Sequence, residues 1–300
     1  MKRFLLLLLG YVVSPFIYAQ VSSVIFENGD ALINYPQLTI LENRGVVKQM
    51  PPVDAQKLLA EDKQRYENHE KSQVPFRFGY GFDVNYTLEE GIWDYRDDIK
   101  IWNLRISSPG AYSINLIFEQ MHLSKDAILY IFNPNGTMVY GPVTAAQNID
   151  HENNELFLTD LVAGDEIVVQ LNEPLDAKEQ SYLKISRVVH AYVDIFSSQS
   201  RGAAPCQKDV ACFSNYSNES DAIVFILLSN GYEQCSGCLL NNTAQDFRPF
   251  LLTAFHCIDT NKDGSLSSSE ITNAQNALFK YYLHGEVQMF FIIPIQLTTS

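Results

Sequence analysis

Leu251 to Cys257, LLTAFHC, runs from apolar residues through Thr253 and Ala254 to Phe255, His256 and Cys257. A strand of this composition delivers an imidazole to its end, where the ring can act as a general base. The adjacent Cys257 can pin that end through a disulfide and so hold the ring in place. A second cluster, Cys235-Ser236-Gly237-Cys238, has the spacing of a redox pair or of half a zinc site. Neither context is met, since no βαβ pattern surrounds it and no second cysteine pair lies at finger spacing. Directly after the histidine, Asp259 to Glu270 (DTNKDGSLSSSE) fills every defined place of the pattern D-x-[DN]-x-[DN]-G-x5-E. Asp259, Asn261 and Asp263 offer hard oxygen ligands, Ser265 its carbonyl, Ser267 a direct or water-mediated contact and Glu270 a bidentate carboxylate. Gly264 allows the sharp turn, and Ca2+ in a structural role is the cation such a set takes. An acidic surface loop is the alternative. A strand rather than a helix precedes the loop, which makes it solitary, and Ile271–Tyr282 is expected to be the helix that follows.

These groups need strands to hold them. Ile223–Ser229 (IVFILLS) is a continuous apolar run of strand length, and Cys238–Leu240 and Phe250–Ala254 supply two more. Asn241–Pro249 between them is polar and reads as a loop.

Cys235-Ser236-Gly237, Asn241-Asn242-Thr243-Ala244 and Leu252-Thr253-Ala254-Phe255-His256-Cys257 together resemble the trypsin-like serine endopeptidases, most closely their secreted bacterial lysyl-endopeptidase-like branch. The resemblance implies that His256 is the catalytic base, that Cys235 is disulfide-bonded to Cys257, and that the complete enzyme cleaves peptides after lysine. It also implies a later aspartate and a serine in a Gly-Asp-Ser-Gly setting that builds the oxyanion hole. No such motif follows His256 here, and the only acidic residues after it are Asp259, Asp263, Glu270 and Glu286. The chain is therefore expected to stop short of its nucleophile and to be inactive. Cys206 and Cys212 match the two cysteines near the start of the family's mature enzyme, while Cys238 departs from the family's small polar residue and places a spare thiol near the bridge. The tail Leu283–Ser300 fits no family element; it reads either as sequence foreign to the fold or as an edge strand and tail.

Lys2 and Arg3 ahead of the apolar run Phe4–Val13, with Ala19 at a cleavage point, read as a secretory signal over residues 1–19. The run is too short to cross a bilayer. The formal charge of -14 becomes -16 once Lys2 and Arg3 are removed, which disfavours nucleic-acid binding and suits an exported protein. All five cysteines fall between Cys206 and Cys257, so a disulfide-bearing unit follows a cysteine-free one.

Residues 20–75 read as a lead segment with an amphipathic helix over Val53–Glu70. From 76 to 196 alternation takes over: Ile99–Ile106, Tyr112–Phe118, Ile128–Phe132, Leu156–Leu158, Glu166–Leu171 and Tyr182–Phe196 read as strands, with a hairpin turn at Asn133-Pro134-Asn135-Gly136. This is the pattern of a β-sandwich or jelly roll. With Trp102, Ser108-Pro109-Gly110-Ala111 and Gly164-Asp165-Glu166 the region also resembles the propeptide ahead of lysyl-endopeptidase-like proteases. Trp93 and Trp102 read as core, a carbohydrate or peptide groove being the other use of such residues. His122, His151 and His190 are scattered singly and take no role.

Residues 197–205 (SSQSRGAAP) read as an exposed linker whose Arg201–Gly202 bond is the basic processing site available. Residues 206–300 are then the partial first barrel of a trypsin-like, chymotrypsin-fold domain with the calcium loop inserted, and the whole chain is mainly β. Protein or peptide substrates and a propeptide–protease contact within the chain are the partners implied. The competing reading is a non-catalytic extracellular binding protein, a β-sandwich stabilised by calcium.

Overall fold

A computed structural model describes residues 21–26, 28–39, 47–68, 74–196, 213–220, 222–241, 243, 250–283 and 286–291. The signal segment, the linker 197–205 with Arg201 and Gly202, and Cys206 and Cys212 lie outside them. Strands dominate the described residues. They run in chain order as β1 (Ser23–Ile25), β2 (Val47–Gln49), β3 (Phe76–Arg77), β4 (Gly79–Thr87), β5 (Ile92–Arg96) and β6 (Ile99–Ser107). Next come β7 (Ser113–His122), β8 (Ile128–Phe132), β9 (Met138–Val143), β10 (Phe157–Leu158), β11 (Val162–Ala163), β12 (Glu166–Pro174) and β13 (Tyr182–Ala191). The last are β14 (Ile223–Leu227), β15 (Glu233–Leu240), β16 (Phe250–Thr253), β17 (Leu278–Leu283) and β18 (Glu286–Phe291). Four helices accompany them: α1 (Ala31–Asn34), α2 (Ala55–Asn68), α3 (Ser217–Ser220) and α4 (Ser268–Gln275).

The first sheet has the order β1-β9-β8-β12-β6-β2 with β5 also on β6; the second has β10-β7-β13-β4 with β11 also on β7. One core joins them. Trp102, Leu104 and Ile106 of β6 and Ile167, Val169 and Leu171 of β12 share it with Ile114, Leu116 and Phe118 of β7 and Ile185 and Val188 of β13. On β6, β7 and β12 their period-two spacing is the alternation read from the sequence, while on β13 a register shift between Ile185 and Arg187 makes the step from Ile185 to Val188 three residues. Trp102 is fully buried and its indole N–H donates to the carbonyl of Leu88 at 2.9 Å, so it is a core residue and not part of a groove. Trp93 lies half-buried beside it under Lys100 Nζ, 4.7 Å from the ring centre.

The lead segment is part of this body. β1 pairs with β9 and β2 runs parallel to β6, and residues 28–38 with Phe26 cover the outer face of the first sheet, where Ala31 and Leu38 pack on Tyr130, Phe132 and Val168. Gln170, pointing to that same face from β12, is buried because its amide bonds the carbonyl of Gln37 and the N–H of Thr39, both at 2.7 Å. A polar side chain in mid-strand is tolerated there because each end finds a partner.

The third sheet has the order β16-β15-β14-β17-β18, with β3 on β15. β3 thus leaves the sandwich that residues 76–196 were expected to form and pairs with the C-terminal part, Phe76 and Arg77 lying opposite Gln234 and Glu233. The helix expected over Ile271–Tyr282 is also corrected. α4 ends at Gln275, and the aromatic-rich LFKYYL of 278–283 is a strand on β14, as its β-propensity favours. Of the tail, Glu286–Phe291 is a strand on β17, so the edge-strand alternative describes that stretch; residues 292–300 lie outside the description.

The two parts of the chain are docked. Asn115 Nδ2 donates to the carbonyl of Gly231 at 3.0 Å, Phe78 N–H to that of Tyr232 at 3.0 Å, and Leu227 reaches the core of the first two sheets. Gly231 has φ +79, and a Cβ there would press on Ile117 and Val189, so the β14–β15 turn must be bare at its point of contact. Arg65 of α2 meets Glu233 at 2.6 Å, while Arg77 meets Asp62 of the same helix at 2.6 Å.

Candidate active site

β16 is only four residues long and is placed by β15, with Thr253 opposite Gly237 and Leu251 opposite Leu239. Gly237 has a packing reason: a Cβ would stand 2.9 Å from Leu251 Cδ1 and 3.0 Å from both Ile226 Cδ1 and the backbone oxygen of Leu252. The Thr253 hydroxyl donates to the carbonyl of Ser236 at 2.9 Å and secures the strand's last residue. Ala254 is extended, and Phe255–Cys257 then close a single 3-10 turn with Cys257 N–H on the Ala254 carbonyl and Ile258 and Asp259 N–H on that of Phe255.

His256 is the middle residue of that turn. Cys257 is bonded to Cys235 on β15 with a Cα–Cα distance of 6.2 Å, which ties the turn to the sheet interior beside Val224 and Ile226. A ring nitrogen of His256 lies within 4.8 Å of both disulfide sulfurs. Those sulfurs are spent on each other, so Cys235, His256 and Cys257 do not form a metal site as they stand. The ring is half-buried, and burial lowers its pKa below 6.5, favouring the neutral form that a base requires. Among the described residues no hydrogen bond or ion pair is recorded for it, so no carboxylate orients the imidazole there as an aspartate does in a Ser-His-Asp triad.

Cys238 is half-buried, free, and three residues beyond Cys235 on a regularly paired strand, which puts the two on opposite faces. The spare thiol expected near the bridge thus lies on the other face of β15 from Cys235. Its face of the sheet carries an exposed apolar row, with Ile223 and Leu252 on either side of Cys238 and Phe250 opposite Leu240.

The residues expected to bind calcium follow at once. Asp259, Asn261, Asp263, Ser265 and Ser267 lie in one loop and Glu270 in the first turn of α4; in the loop Asn261 Oδ1 accepts from Asp263 N–H at 2.9 Å and Asp263 Oδ1 from Ser265 N–H at 2.8 Å. Ser267 and Glu270 form a capping box at the start of α4. The Ser267 N–H and hydroxyl, then the Asn261 N–H, hold the Glu270 carboxyl at about 2.

Residues 201–281 match the family model for the lysyl endopeptidase C-terminal domain. That match supports a lysyl-endopeptidase-like protein. It spans His256, the disulfide, the acidic loop and the Arg201–Gly202 bond, and the protease family it names acts on protein substrates. Among the described residues no helix is long and apolar enough to cross a membrane. A cleft of about 680 Å3 between the sandwich and α4, lined by Glu119, Asn154, Leu156, Ser268, Thr272 and Asn276, is separate from the histidine.

His190, which is buried, shares a hydrogen bond with the Ser108 hydroxyl at 2.8 Å, and burial lowers its pKa. It is packed inside the sandwich. His122 stacks on Tyr182 with ring centres 5.3 Å apart.

Proposed function

We infer that residues 206–300 are the histidine-bearing part of a secreted serine endopeptidase of the lysyl-endopeptidase type, and that residues 20–196 are its propeptide. The observation that carries the reading is His256 held at the mouth of β16 by the Cys235–Cys257 bridge, within the matched span. In the complete enzyme the neutral imidazole takes the proton of the serine hydroxyl as that oxygen attacks the peptide carbonyl, then returns it to the leaving amine. Cleavage after lysine, secretion behind residues 1–19 and processing at Arg201–Gly202 belong to the same reading.

These 300 residues alone contain no Gly-Asp-Ser-Gly motif. These residues by themselves are expected to perform no peptide hydrolysis, because the serine setting that also builds the oxyanion hole is not among them. A fluorophosphonate probe read by intact mass tests this directly. No adduct is expected on the 300-residue chain, and a stoichiometric adduct would mean that one of its own serines is activated by His256.

A further inference from the structure

We propose that the loop Asp259–Glu270 is a Ca2+ site that fastens the His256 turn to helix α4, whether or not the chain hydrolyses peptides. Sequence pattern and acidity alone do not carry this proposal; the observation that points to a ligand is the state of Asp259. The residue is 6% exposed, and its Oδ2 accepts the N–H of Gly264 across the loop at 3.1 Å. That bond turns the carboxylate into the loop's concavity. Its Oδ1 is buried there with no hydrogen-bond partner among the described residues. A buried carboxylate oxygen without a donor carries an uncompensated desolvation cost, and native structures supply such atoms with a partner.

A cation is the partner this loop can take. Asp259, Asp263 and Glu270 lie within twelve residues, and the described ion pairs include none of the three. Lys262, the loop's only basic residue, is exposed. Every donor at the ligand positions is oxygen, which selects a hard cation. A loop offering this many carboxylate, amide and carbonyl oxygens suits Ca2+ better than the smaller Mg2+, which demands near-octahedral geometry and retains waters.

Glu270 reaches back to the first residues of the loop. Its Oε1 accepts from the N–H of Thr260 at 2.9 Å and of Asn261 at 3.1 Å, and its Oε2 from the N–H and hydroxyl of Ser267 at 2.9 and 2.7 Å. Bidentate ligation exchanges some of these donors for the ion, so affinity belongs at the weak end, with Kd on the order of 10⁻⁴–10⁻³ M as in extracellular modules.

The position of the loop gives the ion its role. The N–H of Asp259 closes the His256 turn on the Phe255 carbonyl at 2.9 Å, and Glu270 caps α4. At the far end of α4, Asn276 accepts from Leu156 N–H at 3.1 Å and donates to the Asn154 carbonyl at 2.9 Å. Turn, ion, helix and sandwich therefore form one mechanical series.

The test is equilibrium dialysis of the full chain against radioactive Ca2+ up to about 10 mM, with Mg2+ as competitor, a range that brackets weak extracellular sites. One saturable Ca2+ per chain is expected. Asp263→Ala, at an exposed position, and Asp259→Asn should each weaken binding at least about tenfold with unchanged circular dichroism. Absence of saturable uptake, or uptake that Asp263→Ala leaves unaltered, overturns the proposal.

Discussion

Arg65 on α2 and Glu233 at the head of β15 meet at 2.6 Å across the seam between the sandwich and the third sheet. Glu233 also accepts from Asn230 Nδ2 at 2.8 Å, so the contact is built into the turn that docks the two parts. Arg65→Ala leaves a largely buried carboxylate short of its cation and should lower stability by about 1–3 kcal/mol. Urea unfolding followed by tryptophan fluorescence, which reports the sandwich, and by proteolysis of the third sheet should show the third sheet released first.

Gly237→Ala tests why a glycine follows Cys235-Ser236. The new methyl would meet Leu251, Ile226 and the backbone oxygen of Leu252 at once. Backbone cannot yield as a flexible side chain does, so a loss of about 1–3 kcal/mol is expected. Faster proteolytic cleavage within residues 250–260 is the measurement, and an unchanged rate would contradict the packing argument.

The imidazole of His256 should titrate below 6.5 by NMR in calcium-free buffer, because burial disfavours its charged form. As the pH falls below 6.5, the unfolded chain binds this proton before the folded chain does, so stability declines in that window. A midpoint above 6.5 would point instead to a carboxylate beside the ring.

The apolar row around Cys238 predicts self-association. Ile223 and Leu252 are 50% and 59% exposed, and contiguous apolar surface of this kind is sticky in water. Leu252→Lys should reduce association by light scattering while leaving the bridge on the opposite face intact.

Much of this arrangement is legible in the sequence where a single strand carries its own pattern. Ile128–Phe132 and the start of Glu166–Pro174 are found by alternation, and the neighbourhood of His256 by the order of its residue types. What fails is whatever depends on a distant partner. β1 and β2 are three residues each, too short for a periodic signal, and exist because β9 and β6 offer edges. β9 carries Gly141-Pro142, residue types that are depleted in strands, and is absent from the strands read by alternation. The helix over 271–282 is overextended because LFKYYL has apolar residues at both spacings, and pairing with β14 decides the matter. The orphan oxygen of Asp259 has no sequence signature at all, since it depends on which N–H groups the folded loop presents.

The most direct measurement on the site is a non-reducing peptide map of the chain after alkylation. A cross-linked peptide joining Cys235 to Cys257 is expected, with Cys238 alkylated without reduction. A bridge that includes Cys238, or free thiols at Cys235 and Cys257, would remove the clamp that holds His256 and contradict the account.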